Sequence, residues 1–214
     1  MSENILRRYT TLPFLLDILH NRRLTLLDPK SWDDKNDSYF LDLYKRKLKL
    51  KTILALCFTG APETYLHWKI YSGSSSGVCI QFAKTKLLDC FAGIEGIKSN
   101  DVKYMTLERA QEKISNLNQL PFVKRYGFAA EKEYRIIFTD ESEVIKFKNV
   151  SLDLKAITRI SISPWLPSGI VSSIQNVITT IDGCQKIAIM HSTLINNKTW
   201  KTIADSVFKT AGRR

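Results

Sequence analysis

The stretch Glu131-Lys132-Glu133-Tyr134-Arg135-Ile136-Ile137-Phe138 joins a charged segment to an apolar, β-branched and aromatic run, and it reads as a strand over residues 133–138. Residues two apart on a strand share a face, so Glu131 and Glu133 are expected to point one way, and Lys132 and Tyr134 the other. Two carboxylates on one side of a strand are costly unless something neutralises them. A metal ion, a cationic transition state or nearby cations such as Arg135 and Lys124 would each serve. A solvated edge strand with salt bridges fits the same pattern.

Working outward, strand character recurs at residues 24–27, 53–58, 78–82, 144–147, 157–163 and 186–190, with a short strand at 102–104. An early helix begins after Thr10 or Thr11 with Pro13 in its first turn, and Phe14, Leu15, Ile18 and Leu19 recur along it until Asn21. Further helices are expected over residues 39–50, from Pro62-Glu63 to Tyr71, along Leu107, Ala110, Ile114 and Leu117, along Ile170 to Ile181 before Gly183, and over 199–209. Strands gather in the middle and second half without a regular βαβ rhythm, which implies an α+β fold with mostly antiparallel strands and surrounding helices. No repeat or linker divides the 214 residues, and residues 1–214 are read as a single domain.

A hydrophobic content of 44% is enough to build a core, and the formal net charge of +11 creates a field that draws phosphate-bearing or acidic partners. Basic runs contribute to it: Lys45-Arg46-Lys47, Lys49 and Lys51, and the tail with Lys198, Lys201, Lys209, Arg213 and Arg214. The residues after Met1 lack an apolar signal core and no apolar run is long enough to span a membrane, so a cytoplasmic protein with no membrane association is expected. Four cysteines, Cys57, Cys79, Cys90 and Cys184, show no C-x-x-C spacing, which points to buried thiols rather than zinc or disulfides.

Other candidate segments carry weaker signals. The run Ser72-Gly73-Ser74-Ser75-Ser76-Gly77 matches no phosphate-loop pattern, although Trp68 and Tyr71 precede it and could line a pocket wall. Asp33, Asp34 and Asp37 fall in an expected loop, where aspartates are ordinary turn residues. His20, His67 and His191 are isolated and read as structural or surface residues. Ser163-Pro164 through Ser168 joins a strand to a helix whose free N–H groups could hold an anion.

Four segments taken together resemble a widespread bacterial family catalogued only as a domain of unknown function: Arg8-Tyr9-Thr10 leading into residues 15–19; residues 26–37; Trp68-x-x-Tyr71 followed by Gly77-Val78-x-Ile80; and Glu131-x-Glu133-Tyr134-Arg135-Ile136. The likeness runs to about residue 165. The same pattern is similar, more loosely, to toxin-type ADP-ribosyltransferases, and so implies an ADP-ribosyltransferase-like fold. Carried over position by position, it implies Glu133 as the catalytic acid with Glu131 in support. It also implies Arg8, Thr10, Tyr71 and Ser72 as contacts to NAD, the co-substrate. Arg8 stands where the toxin relatives usually have His, and the serine-rich loop replaces their central Ser-Thr-Ser strand.

The resemblance thus implies an NAD-dependent mono-ADP-ribosyltransferase, acting as a toxin or antiviral-defence effector. Nucleic acid is the favoured acceptor, with protein as the other choice, and an antitoxin or other protein is a possible partner. Two alternatives come from the residues themselves. One is a metal-dependent nuclease using Glu131, Glu133 and some of Asp33, Asp34 and Asp37; the other is a non-catalytic nucleic-acid-binding module. The first reading requires Arg8, Tyr71 and Glu133 to converge on one cleft.

Overall fold

The protein is described here by a computed structural model of residues 5–73 and 75–211, without the side chains of 208–211. Residues 2–4 of the expected leaderless start, Ser74 of the Gly/Ser run, and Arg213 and Arg214 of the basic tail lie outside the described residues.

The chain begins with strand β1 (Ile5–Thr11) and passes directly into helix α1 (Leu12–Asn21), with Pro13 in its first turn, where a missing N–H costs nothing. Arg22, at φ 46°, ends the helix in the left-handed region and returns the chain as β2 (Arg23–Leu27). A 3-10 turn at Pro29–Ser31 leads to α2 (Lys35–Lys47), whose N-cap Asp34 accepts from the backbone N–H groups of Asn36 and Asp37. Next come β3 (Thr52–Thr59), α3 (Tyr65–Tyr71) capped by Thr64, β4 (Gly77–Ala83), α4 (Lys84–Asp89) and β5 (Ile97–Asp101). They are followed by β6 (Lys103–Met105), α5 (Leu107–Lys113), β7 (Val123–Arg125), a 3-10 turn at Tyr126–Glu131, and β8 (Glu133–Asp140). The chain closes with β9 (Phe147–Ser151), β10 (Ile157–Ile162), α6 (Ser168–Thr180), β11 (Ala188–His191) and α7 (Lys198–Ala211).

Nine strands form one sheet in the order β11-β10-β4-β1-β3-β2-β9, with β8 added on β3 and β5 on β8. Every pairing in it is antiparallel except β10 with β11. The fold is therefore a mixed α+β arrangement on a mainly antiparallel sheet, as the spacing of strands and helices implies.

Both faces of the sheet are covered, which is why nearly every residue of β3, β4 and β8 is buried. Leu54, Leu56, Phe58, Ile136 and Phe138 pack with Leu15, Leu19 and Ile178 of α1 and α6 on one face. On the other, Ile53, Ala55 and Ile137 pack under Leu41 and Tyr44 of α2, and Tyr9 and Cys79 pack under Trp68 of α3. Trp68 is fully buried and donates its indole N–H to Glu63 at 2.7 Å, so it belongs to the core and not to a pocket wall.

Four strands differ from the sequence reading, one of them the short β7, which is unexpected and pairs with β6. β1 is a strand although Arg7 and Arg8 interrupt its apolar residues, and β5 is an exposed edge whose sequence is mostly polar. The strand expected at 144–147 lies instead at Phe147–Ser151. Asp140 closes a turn there by accepting from Ser142 and Glu143 backbone N–H groups, and Thr52 accepts from Ile145 N–H, so the preceding residues form a loop.

Candidate active site

Strands β1 and β3 share one paired position, Arg7 opposite Thr59. By contrast β1 pairs with β4 over seven positions and β3 with β8 over eight. The sheet parts at this seam, and a cleft of about 500 Å³ opens there, a size typical of small-ligand sites. Arg7, Arg8 and Tyr9 of β1 face Cys57, Phe58 and Thr59 of β3 across it. His67, Ile70 and Tyr71 of α3 form another wall, and Trp32, Asp33, Asp34 and Asp37 enter from the start of α2. Lys124, Phe128, Glu131 and Glu133 complete the lining.

Where the β1–β3 ladder is missing, arginine side chains substitute for it. Arg8 Nη1 donates to the carbonyl of Cys57 at 2.9 Å and Arg7 Nη1 to that of Ala61 at 2.7 Å. Neither arginine forms an ion pair among the described residues, and Arg7 Nε is buried without a hydrogen-bond partner. Burial pulls the Arg8 pKa down, with some opposition from the Cys57 thiol. Two guanidinium groups without carboxylate partners on one wall suit an anionic ligand.

The opposite side of the cleft is acidic. Glu131 is the last residue of a 3-10 turn, Lys132 takes the left-handed conformation at φ 44°, and Glu133 is the first residue of β8. The two carboxylates therefore do not share a face as neighbours on one strand. They meet because the left-handed residue swings the chain, and both reach Lys124 Nζ, at 2.8 Å from Glu131 and 3.6 Å from Glu133.

Arg135, which shares a face of β8 with Glu133, is fully buried and uses all five of its N–H donors. Nε and Nη2 donate to Glu133 at 2.7 and 2.9 Å, Nη1 and Nη2 to Asp37 at 2.8 and 2.6 Å, and Nη1 also to the Pro121 carbonyl at 2.8 Å. Burial alone would raise the Glu133 pKa, but Arg135 and Lys124 outweigh it and hold the carboxyl below its ordinary range. Burial wins at Asp37, which is pushed up in spite of Arg135. Lys124 is lowered by burial yet raised on balance by Glu133, Glu131 and Asp37.

Glu131 also accepts from the Tyr71 hydroxyl at 2.6 Å. Burial and this carboxylate keep the Tyr71 phenol firmly protonated by raising its pKa. His67 stacks on Tyr9 with ring centroids 5.4 Å apart, and its Nδ1 is 2.6 Å from the Thr64 hydroxyl. Burial lowers its pKa and favours the neutral ring. Cys57 is pushed well above the usual thiol range by burial, with Glu133 adding to the rise, so it is not a poised nucleophile.

Arg8, Tyr71, Glu131 and Glu133 thus converge on one cleft. Thr10 and Ser72 do not line it. Thr10 is buried within β1, paired with Val78, and Ser72 is buried at the end of α3, where its hydroxyl donates to the Trp68 carbonyl at 2.5 Å. Residues that sequence alone treats as turn or structural residues do reach the cleft: Asp33, Asp34, Asp37 and His67. An isolated histidine leaves no pattern to read, and Asp37 is recognisable only through its partner on a distant strand.

The donor set does not suit a metal ion. All four carboxylate oxygens of Asp37 and Glu133 accept from Arg135, and no group of three or more His, Cys, Asp or Glu is disposed to hold an ion among the described residues.

The family model described as "Protein of unknown function (DUF2971)" matches residues 67–136, from α3 to the middle of β8. No curated protein matches. Among solved structures, the chain is similar to Thermus sp. 2.9 DarT in complex with ADP-ribosylated ssDNA, at 11% identity and a TM-score of 0.47, over 90% of this chain and 95% of that one. It is similar also to the same protein in complex with NAD+, at 10% identity and a TM-score of 0.45, over 90% and 96% of the two chains. The motifs Trp68-x-x-Tyr71 and Glu131-x-Glu133-Tyr134-Arg135 both fall within the family match, and through them the chain resembles a family whose description names no activity.

Proposed function

We propose that the cleft binds NAD and that the chain is an NAD-consuming ADP-ribosyltransferase. The observation that carries this reading is the charge on the cleft's acidic side. Three carboxylates, Asp37, Glu131 and Glu133, share two cations, Arg135 and Lys124; formal charges of −3 and +2 leave one negative charge in excess. Breaking the bond between nicotinamide and ribose develops positive charge on the ribose. A carboxylate fixed in advance stabilises that charge without reorganising as the reaction proceeds.

Glu133, immobilised by Arg135, supplies the fixed negative charge next to the ribose. Glu131, less deeply buried and held by Tyr71 and Lys124, is placed to orient the acceptor and take up its proton as the acceptor bonds to the ribose carbon and nicotinamide departs. Arg7 and Arg8 offer donors to the pyrophosphate, and the exposed ring of Tyr71 offers a flat face to a base. The +11 charge favours nucleic acid as acceptor. A role as a toxin or antiviral effector in the cytoplasm, restrained by an antitoxin, accords with this chemistry.

The test is release of nicotinamide from NAD by the purified chain in EDTA. Release that Glu133→Ala abolishes supports the proposal. Cleavage of nucleic acid that requires Mg²⁺ or Mn²⁺ and ignores NAD would replace it with the nuclease, and salt-dependent binding with neither reaction would leave a binding module.

A further inference from the structure

The described side chains of helix α7 (Lys198–Ala211), those of residues 198–207, lie outside the cores that hold the rest of the chain together. Every residue from 198 to 207 is exposed, yet its sequence is amphipathic. Trp200, Ile203, Ala204 and Val207 recur at i, i+3, i+4 and i+7, the anchor spacing of a helix that lays one face into an apolar groove. Trp200 is 75% exposed, Ile203 53% and Val207 66%, a degree of exposure for large apolar side chains that marks an interaction surface.

Further exposed apolar side chains precede the helix in sequence. Leu194 and Ile195, just before α7, and Met190 on β11 are also exposed. β11 is an end strand of the sheet, paired only with β10 among the described residues, so it presents an unpaired backbone edge.

We infer that α7, together with the edge of β11 that precedes it in the chain, docks an acidic protein partner through an apolar groove. Charge decides between the possible occupants. A second copy would bring another +11 chain against this one, and self-repulsion opposes that. An anionic membrane attracts helices whose polar face is dense in lysine and arginine, whereas here Thr199, Thr202, Asp205 and Ser206 take up much of that face beside Lys198 and Lys201. Lipid also cannot satisfy the free backbone groups of a strand edge. A protein with acidic flanks around an apolar groove meets the stripe, the lysines and the edge together.

The surface is tested in the full chain, in cells that natively encode it, with a photoreactive phenylalanine analogue in place of Ala204. The expected result is a cross-link to an identified acidic protein. Once purified, that protein binds the full chain with an affinity that falls steeply with salt, and that drops roughly 100-fold when Trp200→Asp and Ile203→Asp are combined. The variant should keep the unfolding midpoint of the parent, since neither side chain is part of the core. A cross-link to a second copy, to a neutral or basic protein, or to nothing would overturn the inference. So would a blue shift of Trp200 emission on phosphatidylserine vesicles.

Discussion

Arg135 holds Asp37 through both of its terminal nitrogens, at 2.8 and 2.6 Å, and so ties the first turn of α2 to the strand that carries Glu133. Removing one member of a buried ion cluster leaves the others charged and without partners. Arg135→Met is expected to lower unfolding free energy by about 3–5 kcal/mol, read from urea denaturation. Adding Asp37→Asn and Glu133→Gln to Arg135→Met should recover part of that loss. A triple variant less stable than Arg135→Met alone would refute the account.

Glu131 and Glu133 should separate kinetically. Glu131→Gln keeps an oxygen for the Tyr71 hydroxyl and lies outside the Arg135 grip, so its fold should be retained while kcat for nicotinamide release falls about 100-fold with KM little changed. Glu133→Gln should lose both activity and stability, because it leaves Arg135 with a neutral partner. Unaltered turnover in Glu131→Gln would remove that residue from the chemistry.

Acid should act on the cluster with two opposite signs. The Glu133 pKa is lowered in the fold, so its contribution is present above the unfolded carboxyl value of 4.5 and is lost as pH falls through the depressed folded value. The Asp37 pKa is raised above 3.8, so its contribution is present below that value and lost as pH rises through the folded one. Urea midpoints between neutral pH and the acid limit should therefore fall less steeply in Glu133→Gln and more steeply in Asp37→Asn. The opposite order of slopes would contradict the assignment.

Gly77 sets the position of α3. A Cβ there would lie 2.6 Å from the Ser72 carbonyl oxygen and equally close to its Cβ, and Ser72 is fully buried at the end of the helix that carries Tyr71. Gly77→Ala should cost about 1–3 kcal/mol and displace Tyr71 from Glu131. Thermal unfolding, and the Tyr71 ring resonances compared with those of Glu131→Gln, would check both effects.

Features fixed by neighbours in sequence are readable without the structure. Pro13 marks the first turn of α1 and the acidic segment before Tyr134 marks the edge of a strand, whereas the start of α3 expected at Pro62-Glu63 falls at Tyr65, after the cap Thr64. What escapes reading is set by contacts between distant residues. Asp37 and Arg135 are 98 positions apart, so Asp37 resembles any other turn aspartate. Lys132 takes a left-handed conformation that nothing in its chemistry announces, and it changes the reason Glu131 and Glu133 meet. β1 hides because Arg7 and Arg8, which cross the seam, break the alternation that betrays a strand. Thr10 and Ser72 illustrate the reverse case, since residues beside the right motif can belong wholly to the core.

The single β1–β3 pairing divides one face of the sheet in two. One half rests on Tyr9, Trp68 and Cys79 and carries the arginines; the other rests on Leu41, Tyr44 and Ile137 and carries the acids. On the opposite face Leu6 and Phe82 share one core with Leu54, Phe58 and Ile136, which keeps the halves together beneath the cleft. A molecule bound across the seam staples two strands that the backbone ladder scarcely links. Amide exchange in β1 and β3 should then slow together on ligand binding, although the two strands share one paired position.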